Sequence, residues 1–97
     1  MLMLVTYDVN TTSAEGVRRL RKIAKVCQNY GMRVQNSVFE INLGWDEWLV
    51  VRAKLETICD PMKDSLRYYN LGNAYQTKVI HFGAKPSMDV VKDSLII

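Results

Sequence analysis

An opening run of strand formers, two stretches with helical apolar spacing and strand-like runs between and after them predict an α+β fold. The arrangement is a ferredoxin-like, βαββαβ-type sandwich: an antiparallel sheet with two helices on one face. With 97 residues, 48% of them hydrophobic, the chain is one small domain with enough apolar side chains for a core. The sandwich is expected over residues 1–82, with a C-terminal extension over 83–97.

Each element has its own local reason. Leu2 to Tyr7 is almost unbroken apolar and runs into Asp8-Val9-Asn10-Thr11-Thr12-Ser13, as a central strand entering a loop does. Thr12 followed by Glu15 fits a capping box. Val17, Leu20, Ile23, Ala24, Cys27 and Tyr30 then recur at helical spacing until Gly31. Arg33 to Ile41 alternates, with Gln35, Ser37, Phe39 and Ile41 on one face, and is expected as one strand. Trp48, Val51, Leu55, Ile58, Cys59 and Met62 give a second helix, which Asp60-Pro61 ends. Ser65 to Leu71 is strand-like, Gly72-Asn73 marks a turn, and Thr77 to Phe82 is expected as a last strand.

Right-handed crossovers put both helices on one side of the sheet. Tyr68, Tyr69, Phe39 and the strand aliphatics then leave the other side more apolar than a solvated face requires. The tail closes in Leu95-Ile96-Ile97. It is expected to add an edge strand to a second subunit, making a homodimer; the alternative is a tail docked on its own domain.

Composition narrows the function classes. The longest apolar run, Met1 to Val5, is too short to cross a bilayer and lacks signal-peptide flanks, so a cytoplasmic protein without membrane contact is expected. Cys27 and Cys59, with His81 as the single histidine, are too few for a structural zinc site and read as packing residues. His81 reads as structural, since no spacing ties it to Asp8. The net charge of +3 conceals an uneven distribution. Arg18, Arg19, Arg21, Lys22 and Lys25 crowd the solvent side of the first helix, with Arg33 just beyond it, whereas Glu56, Asp60 and Asp64 follow in or after the second. A basic stripe of that kind suits a phosphate backbone; the alternative is a solvated helix face.

Asp8 lies where strands of α/β sheets present ligand-binding residues, and a carboxylate there can hold Mg²⁺ while the ion keeps most of its water. One carboxylate is a thin site, with only Asn10 and the Thr11, Thr12 and Ser13 hydroxyls nearby. A two-fold axis beside the strand end would supply a second Asp8. The alternative is a loop aspartate making an Asx turn. Tyr7 and Phe39 could stack on bases with Arg33 clamping a phosphate; core packing is the competing reading.

These residues resemble the small CRISPR-associated nucleases of the spacer-acquisition module, the lesser partner of the CRISPR integrase. The likeness covers nearly the whole chain. It rests on Val5-Thr6-Tyr7-Asp8-Val9, on Arg18-Arg19-Leu20-Arg21-Lys22, on Gly31 through Glu40, and on Asp64-Ser65-Leu66-Arg67-Tyr68-Tyr69. The wording is most similar to type I-C versions. The resemblance implies a ferredoxin-like homodimer whose C-terminal segment reaches across to its partner, and a catalytic Asp8 that binds Mg²⁺ between the subunits. Tyr7, Arg33 and Phe39 match family positions linked to nucleic-acid cleavage, and Arg18, Arg19 and Arg21 match loosely. Members are described as cutting single-stranded RNA or double-stranded DNA, and the dimer as a platform for the integrase on duplex DNA.

Two functional classes therefore stand side by side. One is a Mg²⁺-dependent endonuclease; the other is a non-catalytic, duplex-DNA-binding scaffold that uses the same arginines. A small-molecule regulatory domain is a third class, which the basic helix disfavours.

Overall fold

The computed structural model describes residues 1–84. In chain order it contains β1 (Leu2–Asp8), α1 (Ala14–Tyr30), β2 (Met32–Gln35), β3 (Val38–Asn42), α2 (Trp45–Ile58) and β4 (Ser65–Gly72), then a 3-10 turn over Tyr75–Thr77. The strands form one four-stranded sheet in the order β2-β3-β1-β4, with every neighbouring pair antiparallel. This is the βαββαβ arrangement expected of a ferredoxin-like sandwich.

Alternation along β1 sorts its side chains between two faces. Met3, Val5 and Tyr7 are buried beneath the helices, while Leu4 and Thr6 are half-buried on the other face and Asp8 is exposed. The centre of the core is Val5, Phe39 and Ile41 from the sheet, Ile23 and Cys27 from α1, and Val51 and Leu55 from α2, all without solvent exposure. Trp48 joins them and meets the Tyr68 ring edge-on, with centroids 5.0 Å apart.

Helix α1 begins one residue later than the capping box suggests. The Ser13 hydroxyl accepts the Gly16 N–H at 3.1 Å, and Thr12 instead turns back to Asn10. Two glycines are fixed by space. A Cβ at Gly16 would lie 1.9 Å from the Asn10 carbonyl oxygen, and one at Gly31 would lie 2.3 Å from the Glu40 carbonyl oxygen. The first packs α1 directly on the loop leaving β1; the second lets α1 end against β3.

Four sequence expectations change. The single strand over Arg33 to Ile41 is a hairpin, folded at Asn36-Ser37 into β2 and β3. Its polar centre is turn chemistry that the alternation disguised. Thr77 to Phe82 forms no strand: Ile80 and Phe82 are 93% and 99% exposed, and β propensity without a partner strand is not enough. Met62 lies beyond α2, which is capped at Cys59. Phe39 and Tyr68 pack under the helices, so Tyr69 alone of the three aromatics faces the open side, in a groove with Leu4, Val34, Val38 and Phe82. The apolar terminus Leu95-Ile96-Ile97 lies outside the described residues.

Gly16→Ala is expected to cost about 1–3 kcal/mol through backbone overpacking. Gly44→Ser, at a helix start where a Cβ meets nothing within 4 Å, should stay within about 0.5 kcal/mol of wild type. Urea unfolding followed by circular dichroism checks both, and equal midpoints for the two variants would refute the assignment.

Candidate functional site

Asp8 is the last residue of β1 and pairs in register with Ser65 at the start of β4. Its carboxylate is exposed, and no hydrogen bond or ion pair engages it among the described residues. A cleft of about 660 Å³ opens along this corner, walled by Asp8, Thr6, Pro61, Ser65 and Arg67 with Glu56 and Cys59 behind. The site is therefore an open notch at the rim of the sheet rather than an enclosed pocket.

The loop after Asp8 is held firmly. Asp64 is buried, with its side chain wholly covered, and both of its carboxylate oxygens are occupied. Arg19 donates through Nε to Oδ2 at 2.7 Å and through Nη2 to Oδ1 at 3.3 Å. The Asn10 N–H reaches Oδ1 at 3.0 Å, and the Asp60 N–H reaches Oδ2 at 2.9 Å. The guanidinium, helped by the two N–H groups, outweighs burial and holds the Asp64 carboxyl down at about 2. One side chain thus ties α1, the β1–α1 loop and the α2–β4 loop together. The sequence places Asp64 among the acids after the second helix and at the head of the Asp64 to Tyr69 segment of the resemblance, without giving it a role. The available signal was an acid immediately before a strand in a protein whose first helix is densely basic.

The expected nucleic-acid residues fall into three groups. Tyr7, Phe39 and Arg33 come together: the two rings stack at 6.2 Å, and the Arg33 guanidinium lies 5.1 Å over Phe39. Phe39 has no exposure and Tyr7 only 6%, so neither ring offers a face to a base; they are core, and Arg33 is the exposed member. The Tyr7 hydroxyl donates to the Asn36 carbonyl at 3.3 Å, and burial raises its pKa. Arg19 leaves the basic stripe, because its charge is neutralised by Asp64. Arg18 and Arg21, with Lys22 and Lys25, remain exposed at i, i+3, i+4 and i+7 on one face of α1, with no ion pair among the described residues.

Comparison with known proteins decides the family. The model for "CRISPR associated protein Cas2" matches residues 1–79. The chain belongs to the Cas2 family. Among similar Cas2 proteins, the CRISPR-associated endonuclease Cas2 of Halalkalibacterium halodurans is 56% identical over 96 residues, covering 99% of both chains. The CRISPR-associated endoribonuclease Cas2 of Chlorobaculum tepidum is 57% identical over 90 residues, covering 93% of this chain and 94% of its own. The crystal structure of Streptococcus pyogenes Cas2 at pH 6.5 superposes with a TM-score of 0.74 at 47% identity, covering 86% of this chain and 100% of that one.

The notch of this Cas2-family chain offers little to a metal by itself. Among the described residues no group of three or more His, Cys, Asp or Glu side chains could hold an ion. The Asn10 Oδ1 accepts two bonds from Thr12, the Ser13 hydroxyl caps α1, and Asp64 is saturated, so among the described residues Asp8 is the one free carboxylate at the strand end. Mg²⁺ is satisfied by one or two carboxylates and water, so the Asp8 carboxylate is a donor that would fit that ion if a second carboxylate or water completed the set.

The Asp64 pairing carries a pH signature. Its carboxyl titrates near 3.8 when unfolded and near 2 when folded, so the folded state binds fewer protons and stability falls as pH falls. The stability advantage of wild type over Asp64→Asn should be complete above pH 3.8 and fade as pH approaches 2. Thermal unfolding at a series of pH values measures it; an advantage unchanged down to pH 2 would contradict the pairing.

Proposed function

We propose that this chain is a CRISPR-associated, Mg²⁺-dependent endonuclease of the spacer-acquisition module, of the type I-C kind, acting as a homodimer on single-stranded RNA or double-stranded DNA beside the CRISPR integrase. The observation that carries the reading is the exposed, unengaged Asp8 carboxylate at the carboxyl end of the central strand. Similar proteins bear the names endonuclease and endoribonuclease, which supports the same chemistry. The type I-C assignment rests on the wording of the four segments quoted for the resemblance, of which Gly31 to Glu40 is the most specific.

Asp8 and the partner subunit's Asp8 would hold the ion across a two-fold axis. A bound Mg²⁺ supplies charge to a phosphodiester and lowers the pKa of coordinated water. The remaining work falls to this chain's own cations. Arg33, steadied over Phe39, is placed to bind a phosphate, and the α1 stripe of Arg18, Arg21, Lys22 and Lys25 to track a backbone. Neither recognises a base, so little sequence preference is expected.

That stripe also favours a second reading. Its cations are independent of Asp8, so the chain can bind duplex DNA as an integrase scaffold whether or not it cuts. Purified protein should cleave labelled single-stranded RNA or duplex DNA with Mg²⁺ and not with EDTA. Asp8→Ala should lose about 10²-fold or more in rate while staying folded and dimeric in sedimentation. Salt-sensitive binding without metal-dependent product would leave the scaffold as the function, and equal cutting by both proteins would expose a contaminant.

A further inference from the structure

We propose that Asp64 and Arg19 are positioning residues for Asp8: their buried ion pair fixes the strand end from which the Asp8 carboxylate projects, and thereby sets its affinity for a divalent cation. The inference rests on the nuclease reading for its consequence, but its geometric half stands without it.

The argument begins with what holds Asp8 on either side. Its backbone pairs with Ser65, the residue next to Asp64, and the Asn10 N–H two residues on is bonded to Asp64 itself. The loop between is hemmed in from above, where the Asn10 carbonyl leaves no room for a Cβ at Gly16. Asn10 closes on Thr12 through its side chain, which stiffens the turn further. Arg19 reaches this corner from the second turn of α1, and its side chain is only 16% exposed in the pair. The carboxylate of Asp64 is thus the common acceptor for three chain segments that converge on the end of β1.

A cation held by one carboxylate per chain depends heavily on where that carboxylate points, because no further protein ligand corrects a misplacement. Outer partners of metal ligands generally act in this way. Arg19 therefore serves the site without touching substrate, and its departure from the basic stripe has a purpose.

The test uses the full chain with Arg19→Gln, which spares the two N–H bonds to Asp64, and Arg19→Lys, which keeps a charge at the pair. Val51→Ala, on the buried face of α2, is the control for lost stability alone. Amide hydrogen exchange at residues 8–10 comes first. Mn²⁺ titration follows, read as paramagnetic broadening of the same amide signals. Mg²⁺ dependence of cleavage is measured last.

Arg19→Gln should speed exchange at Asn10 and weaken Mn²⁺ binding about tenfold, with cleavage recovering at high Mg²⁺. Arg19→Lys should recover part of both, and Val51→Ala should leave the Mn²⁺ titration unchanged. Wild-type exchange and Mn²⁺ titration in Arg19→Gln would overturn the proposal, as would an equal shift in Val51→Ala. If wild type neither cuts nor binds Mn²⁺ at Asp8, the nuclease reading and the affinity claim fall together, while faster exchange in Arg19→Gln would still uphold the geometric half.

Discussion

Both edges of β1 are hydrogen-bonded, to β3 on one side and to β4 on the other, over nearly its whole length. Apart from one shift against β4 between Leu2 and Met3, the register is held by both neighbours, because a slip of one residue would carry Met3, Val5 and Tyr7 out of the core. The helices follow from the same constraint. Each crosses over to a strand lying beyond or beside β1, and both settle on the face where Val5, Phe39 and Ile41 gather. Asp8 is placed by this arrangement more than by its own interactions: it is the last residue of the strand that everything else is registered against.

Much of this was legible in the sequence, for identifiable reasons. β1, α1 and β4 declare themselves because their apolar period agrees with their local stop signals. The β2–β3 hairpin does not, since Gln35, Ser37, Phe39 and Ile41 alternate straight through the turn at Asn36-Ser37. Local preference also misled at Thr77 to Phe82, where strand formers find no neighbour to pair with. At the candidate site, Asp8 could be picked out because its meaning depends on position along one strand. Arg19 and Asp64 are 45 positions apart, and nothing short of the tertiary fold shows that they meet. The same limit applies to Tyr7 and Phe39, whose aromatic character was visible but whose burial was not.

The charge distribution shows how one helix divides its labour. Arg19 faces inward to a carboxylate that needs it, and Arg18, Arg21, Lys22 and Lys25 face outward with no ion pair among the described residues. The Arg19–Asp64 pair joins residues far apart in the chain, and its guanidinium outweighs the desolvation of the carboxylate. Here the arrangement it specifies is the junction of three segments.

The sheet's two borders are unequal. β2 is four residues long, carries a register shift between Arg33 and Gln35, and ends at once in a turn; β4 is eight residues long. Among the described residues the outer edge of each lacks a strand. Each border carries one arginine and one register shift, so length is what separates them: a short border offers an added strand few hydrogen bonds, whereas a long one invites it. Strand addition to the described sheet would therefore favour the β4 side. Were two copies to join through β4, they would use up the long border on each and leave only the four-residue β2 borders at the ends, so that such an association would close at a pair instead of propagating into a fibre.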